Sequence, residues 1–260
     1  MVQTNVMLSP KVASGCAPVE PTVRKRTDGS SAIGPWFPQN NSHLYHELAH
    51  RIYGRMTEAE PRIIDLQPST LEGNAVHLIP IERGHWEPLW EVARDSAAEI
   101  FRWIPYPMAS LEDFQRWADK ALAEQKRGES LVFVTLDRRS GKLIGSTRFM
   151  NIDRANRRAE IGSTWIAPAW QRTAINTEAK YLMLRHAFEQ WGCIRVELKT
   201  DALNQKSRAA ILRIGAREEG TLRKHLVTHT GRIRDTVYFS ILDSEWPQVK
   251  HGLELRLNRS

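Results

Sequence analysis

Residues 160–180, EIGSTWIAPAWQRTAINTEAK, constrain the fold of this chain more than any other stretch. An apolar-rich strand stops at Pro168, a short turn follows, and a helix opens near Asn176 and runs towards Trp191. Asn is a preferred N-cap and Glu178 falls in the first turn, both of which suit a helix start. Strand, turn and helix N-terminus in that order make an anion site. The unpaired backbone N–H groups and the positive end of the helix dipole point the same way.

The rest of the chain narrows what that anion site serves. The chain has 260 residues, 41% hydrophobic and 26% charged, a composition that suits one soluble domain plus an extension, or two small domains. No run approaches the roughly 18 apolar residues of a membrane span. The N-terminus, MVQTNVMLSPKVASGC, lacks the apolar core of a signal peptide. Cys16 and Cys193 give neither a disulfide framework nor a CxxC pair, so a reducing cytoplasm is the expected location. A net charge of +7 favours anionic partners. The basic residues are interleaved with acidic ones, as in Arg94-Asp95 and Arg217-Glu218-Glu219, and no RNA-recognition or helix-turn-helix signature is present. Nucleic acid is therefore not the expected ligand.

Five of the 13 prolines fall in the first 40 residues without amphipathic period, so 1–41 reads as a disordered tail. Leu44, Leu48 and Ile52 recur at helical spacing within 42–56, and Pro61 and Pro68 bracket a linker, making 42–70 an extra helix and linker. From Leu71 the signals are dense. Strands are predicted at 75–81, 131–137, 143–152, 158–166, 193–200, 220–228 and 232–242. Helices are predicted at 85–100 and 110–126, from Asn176, and from Asn204 to Gly215. In the strand at 193–200, Ile194, Val196 and Leu198 alternate with Arg195, Glu197 and Lys199. The order β-α-α-β-β-β-α-β-α-β-β describes an α+β domain with a mostly antiparallel sheet. Residues 251–260 read as a C-terminal tail.

This order, with an anion-binding turn after the fourth strand, resembles the GCN5-related N-acetyltransferase (GNAT) fold. Within it, the chain looks most like the RimJ/RimL branch, whose members acetylate protein N-termini or other primary amines. The supporting pieces are Glu160-Ile161-Gly162, Trp165-Ile166 before Pro168, Thr177-Glu178-Ala179, Asn204-x-x-Ser207, Ile214-Gly215-Ala216, Glu219-Gly220 and Arg234-Asp235. They span a domain of about residues 71–250. The resemblance implies a mixed, mostly antiparallel sheet of six to seven strands flanked by helices. It also implies a V-shaped splay between the fourth strand (158–166) and the fifth (193–200), with acetyl-CoA as co-substrate in the splay and no metal.

Site roles follow from the same resemblance. Gly162 is where a bulge would start the splay, or else a point of close packing. Backbone amides of Thr164, Trp165 and Ile166 would hold the thioester carbonyl and pantetheine arm. The pyrophosphate loop departs from the family's Gln/Arg-x-x-Gly-x-Gly/Ala. It reads Gln171-Arg172-Thr173-Ala174-Ile175-Asn176, followed by Thr177. Ala174 still allows close backbone approach, Asn tolerates positive φ, and Arg172 adds charge; the other reading is an ordinary helix cap. Glu160 occupies the family's general-base position, with a solvated carboxylate paired to Arg157 or Arg158 as the alternative. Many relatives carry a Tyr acid where this chain has Ile211, and Ser207 is the replacement. Asn204 would serve the pantetheine arm or a water, although both residues could simply cap the helix. Trp103 and Tyr106, in the loop FRWIPYP, are expected substrate contacts or packing residues, and Cys193 is expected in the core.

One motif competes. His46-Glu47-Leu48-Ala49-His50 matches the HExxH zinc-peptidase pattern on a predicted helix. Tyr53 and Met56 stand where the longer pattern requires Gly and a third His, so an incidental surface helix is favoured. The sequence thus points to direct transfer of acetyl from acetyl-CoA to a primary amine, such as a ribosomal or other protein N-terminus. The chain would act as a monomer or homodimer. A catalytically weak acyl-CoA-binding module and a zinc peptidase stand as the alternatives.

Overall fold

The computed structural model describes residues 64–259. The expected tail over 1–41, the helix over 42–56 with its HExxH match, and Cys16 lie outside the described residues. Eight strands form one sheet: β1 (Leu71–Glu72), β2 (Val76–Pro80), β3 (Leu131–Asp137), β4 (Leu143–Asp153), β5 (Arg158–Ile166), β6 (Arg195–Asp201), β7 (Arg217–Val227) and β8 (Ile233–Leu242). The two-residue β1 takes the count above the expected six to seven, so the predicted fourth and fifth strands are β5 and β6. The helices are α1 (Trp86–Ala93), α2 (Ala97–Ile100), α3 (Leu111–Lys126), α4 (Ile175–Arg185), α5 (Gln205–Arg213) and α6 (Trp246–Leu257).

The spatial order is β1-β2-β3-β4-β5-β6-β8-β7. Every neighbouring pair is antiparallel except β5 and β6, which are parallel. A parallel pair needs a crossover, and α4 supplies it. The side chains of β3 alternate between two cores. Leu131 and Phe133 face one core, with Ile175, Ala179 and Met183 of α4 and Leu253 of α6. Val132 and Val134 face the other, with Leu89 of α1 and Phe114 and Trp117 of α3. Both sheet faces are thus covered by helices, and the side-chain period of two feeds both layers.

Two local readings change. Helix α6 includes residues 251–257, expected as tail. Its Trp246 and Leu253 are buried, and Trp246 stacks on Phe188 at 5.3 Å between ring centroids. In β6, Val196 and Leu198 are buried as the alternation predicts, but Ile194 precedes the strand and is exposed.

The feature that positions the site is where β5 and β6 part. They pair only over Arg158–Glu160 against Arg195–Glu197. Beyond that point β5 stays with β4 as far as Ile166, while β6 follows β8 to Asp201. The edge of β5 from Ile161 onward has no partner strand on the β6 side, and this is the expected V-shaped splay.

Candidate active site

The splay opens into a cavity of about 2030 Å³. Its walls include Glu160, the strand end 164–166, the loop 171–177, Asn204 and Ser207, and Trp103 and Tyr106. Every residue singled out in the sequence for acetyl transfer therefore lines one space.

Glu160 sits at the last position of β5 that pairs with β6 and is 3% exposed. The alternative of a solvated carboxylate held by Arg157 or Arg158 does not hold: Arg158 binds Asp153 and Glu197 instead. Glu160 Oε2 accepts from Asn151 Nδ2 at 2.7 Å and lies 2.8 Å from Lys199 Nζ. Its Oε1 lies towards Gly162, where an added Cβ would come within 3.1 Å of Oε1 and 2.8 Å of Met150 Sδ. Gly162 is thus a point of close packing that keeps one carboxylate oxygen uncrowded.

It also adjoins the bulge. Between the pairs Ser146↔Trp165 and Arg148↔Gly162, β4 has one residue, Thr147, and β5 has two, Ser163 and Thr164. Ser163 adopts φ 48°, a region that non-glycine residues enter at a cost, repaid here by fixed neighbours. Arg148 donates from Nε to Ser163 Oγ at 3.1 Å and pairs through Nη1 with Glu124 at 2.6 Å. The bulge turns the Thr164 side chain into the cavity, whereas the Trp165 ring packs edge-on against Phe101 at 5.4 Å. Only the backbone of Trp165 is available to a ligand.

The loop after β5 is held by its own side chains. Gln171 Nε2 donates to the Ile166 carbonyl at 2.7 Å, and Gln171 Oε1 accepts from Lys206 Nζ at 2.5 Å. Thr173 Oγ1 donates to the Trp170 carbonyl at 2.7 Å. The helix starts at Ile175 rather than with Asn176 as its cap. Its N-cap is Ala174, which makes no side-chain bond. Positive φ falls on Arg172 (64°), while Ala174 has φ −63°, inside the right-handed region. This is why the loop tolerates Ala174 and Asn176 in place of glycine: neither is asked for a left-handed backbone. Ile175 N makes only a long 3.4 Å bond to Thr173 Oγ1, and the next first-turn amides of α4 are left to a ligand or water. Arg139, Arg172 and Arg213 line the same cavity and favour an anion in it.

On α5, Asn204 does cap the helix, its Oδ1 accepting from Ser207 N at 3.1 Å. Ser207 is half-buried and lines the cavity, above the buried Ile211 and Ile214. Also on the cavity wall, the Trp103 ring lies beneath the guanidinium groups of Arg102 and Arg232, at 5.0 and 5.5 Å. Its carbonyl accepts from Arg234 Nη1 at 3.4 Å, and the Pro105 carbonyl accepts from His229 N at 2.9 Å. The aromatic loop is therefore fastened to the β7–β8 hairpin.

The sequence reading missed three groups. Glu178, noted there as a first-turn acid and as part of Thr177-Glu178-Ala179, is buried and accepts from the amides of Asn74, Ala75 and Val76 at 2.6–2.9 Å. Lys199 appeared only as the polar half of an alternating strand. Lys180 was not remarked on at all; it is 5% exposed and borders the cavity. Its partners Thr147 and Thr164 come from two strands, so nothing local to α4 identifies them. Among the described residues no cluster of His, Cys, Asp or Glu could hold a metal, and no helix is long and apolar enough to cross a membrane.

Comparison with known proteins agrees with this geometry. The family model described as an acetyltransferase (GNAT) domain matches residues 76–217. The chain is 41% identical over 110 residues to a Bacillus subtilis (strain 168) protein named "Putative ribosomal N-acetyltransferase YdaF", covering 42% of this chain and 59% of that protein. A GCN5-related N-acetyltransferase structure from Brucella melitensis superposes with TM-score 0.68 and 36% identity, covering 74% of this chain and 86% of that one. Mycobacterium smegmatis RimJ, solved with CoA-disulfide, superposes with TM-score 0.65 and 25% identity over 74% of this chain and 96% of that one.

Proposed function

The chain belongs to the GNAT acetyltransferase family, and from that premise we propose that it transfers the acetyl group of acetyl-CoA directly to a primary amine, with a protein N-terminus as the leading acceptor class. The observation that carries the reading is the continuous run from the unpartnered β5 edge to the uncapped N-terminus of α4, with Glu160 at its head. The residues present suit acetyl-CoA. A strand edge with free backbone groups offers an amide-bearing arm the hydrogen bonds of a missing strand. Uncapped helix amides with Arg139 and Arg172 nearby offer a pyrophosphate site. Bound there, acetyl-CoA supplies an activated acyl carbon.

The chain's own groups do the rest. An α-amine, with pKa about 8, needs less help to lose its proton than a lysine at about 10.4. Glu160 Oε1 is the acceptor for that proton, since Oε2 is engaged by Asn151 and Lys199. Those backbone amides of the 164–166 strand end that point away from β4 stabilise negative charge that develops on the carbonyl oxygen. Ser207 Oγ hydrogen-bonds the sulfur, while Asn204 fixes the start of α5. Trp103 and Tyr106 line the acceptor end. The name of the YdaF relative, a ribosomal N-acetyltransferase, supports a protein acceptor.

Thermal melts with acetyl-CoA and CoA test the cofactor, because a ligand that binds only the native state raises the midpoint. No shift at millimolar acetyl-CoA would overturn the reading. Thiol release with N-terminal peptides and small amines then identifies the acceptor.

A further inference from the structure

Lys180 has a role that the acetyl-transfer chemistry above leaves unfilled. The other buried cations of the cavity have acidic neighbours: Arg148 pairs with Glu124, and Arg234 lies against Asp201 at 3.8 Å. Lys180, from the middle of α4, has none among its bonds. Its Nζ contacts two hydroxyls, Thr147 Oγ1 at 2.9 Å and Thr164 Oγ1 at 2.6 Å, which are themselves 2.8 Å apart. This closed triangle spans the floor of the splay, joining helix, β4 and the bulge of β5.

Other charged groups nearby are already committed. On the sheet side, Arg148 is paired with Glu124 and Glu160 with Lys199. On the helix itself Glu178 holds the amides of 74–76. From α6, Glu254 accepts from Tyr181 and Lys250 pairs with Glu189. None of them reaches Lys180. Burial alone acts on its amine and lowers it from 10.5 to about 7.

The triangle has one exposed corner. Thr164 is open to the cavity, on the strand segment whose amides face the acyl group, while Lys180 and Thr147 are buried beneath it. A hydroxyl can accept from the amine below and donate to an atom above, so Thr164 can pass a proton between them. The departing thiolate needs such a source. Ile211 stands where a tyrosine acid would be, and a serine hydroxyl such as Ser207 can hydrogen-bond sulfur but releases its own proton poorly.

We propose that Lys180 and Thr164 form the proton path to the sulfur of the departing CoA, an inference that rests on the acetyl-transfer reading. As the carbon–sulfur bond breaks, its electron pair leaves on sulfur. The sulfur takes the proton of Thr164 Oγ1, and Thr164 takes one from Lys180 Nζ. The neutral Lys180 recovers a proton from solvent between turnovers. The acceptor's proton leaves separately at Glu160, so one proton is lost and one delivered per transfer. An ammonium near 7 gives its proton downhill to a thiolate, whose ordinary value is about 8.5.

The test follows acetyl transfer against pH at saturating acetyl-CoA and amine acceptor in wild type, K180M and T164V. K180M keeps the length of the side chain and removes its charge from a buried position, so the fold is retained. Because the acid form of Lys180 is lost above about 7, wild-type kcat is expected to carry a falling limb above that pH, and K180M and T164V are expected to be slower by about tenfold or more and to lack that limb. Coincident kcat–pH profiles in wild type and K180M would overturn the proton path and leave acetyl transfer standing. No acetyl transfer by wild type at any pH would remove both.

Discussion

At Glu160 the two carboxylate oxygens have different work. Oε2 is tied to Lys199 and Asn151, and Oε1 is left beside a glycine. Replacing Glu160 with Gln should therefore lower kcat by about 10²-fold or more while the acetyl-CoA melt shift persists, as expected of a lost general base. Gly162→Ala tests the same oxygen sterically, because its Cβ would press on Oε1 and Met150 Sδ. It should reduce turnover with the fold intact, read by activity beside circular dichroism. The position of Glu160 on its strand was legible through the family resemblance, which puts a general base there. Its partners were not, because the β5–β6 and β4–β5 registers bring Lys199 and Asn151 to it, and register is not written in any local pattern. Lys180 gives a second residue-scale prediction, this time in stability. Its folded value, about 7, lies below the ordinary 10.5, so the unfolded chain binds more protons between those values. Native stability should rise from pH 7 towards pH 10 in wild type, and the rise should be weaker in K180M by denaturant melts across that range.

Among the elements, α4 ties the two ends of the domain together. Its N-terminus faces the cavity, and Glu178, one turn in, clamps the strand entrance at 74–76 through three amides. Gly73 belongs to this clamp, since a Cβ there would fall 2.6 Å from Glu178 Cδ. Glu178→Ala removes three charge-assisted bonds and should cost about 3 kcal/mol, a fall of roughly 6–12 °C in Tm for a domain of this size. An unchanged melt would show that the clamp is not structural. The sequence marked a first-turn acid here because Glu suits the helix dipole. It could not show that the carboxylate turns back onto another chain segment. Helix α6 was missed for a related reason. Its apolar residues are sparse and its polar ones, Lys250 and Glu254, are engaged by Glu189 and Tyr181 rather than by solvent.

For the molecule as a whole, the order of elements was legible because both periods, two and 3.6, are clean from β2 to β8. One parallel pair among antiparallel ones generates the cavity, and its crossover helix delivers both the uncapped amides and Lys180. The cavity size and the convergence of 15 sequence-chosen residues on it depend on packing that no single segment encodes. The arginines lining the cavity, on a chain of net charge +7, should make acetyl-CoA binding salt-dependent. Its Kd should rise between 50 and 500 mM salt, and calorimetry would show this.

The most direct measurement of the central claim is mass spectrometry of an N-terminal peptide incubated with the protein and acetyl-CoA, with released thiol quantified in the same tube. Acetyl transfer predicts one acetyl group on the peptide's α-amine per CoA released, with the rate collapsing in the Glu160→Gln variant. CoA binding without acetylation of that peptide or of any amine in a broad panel would contradict it.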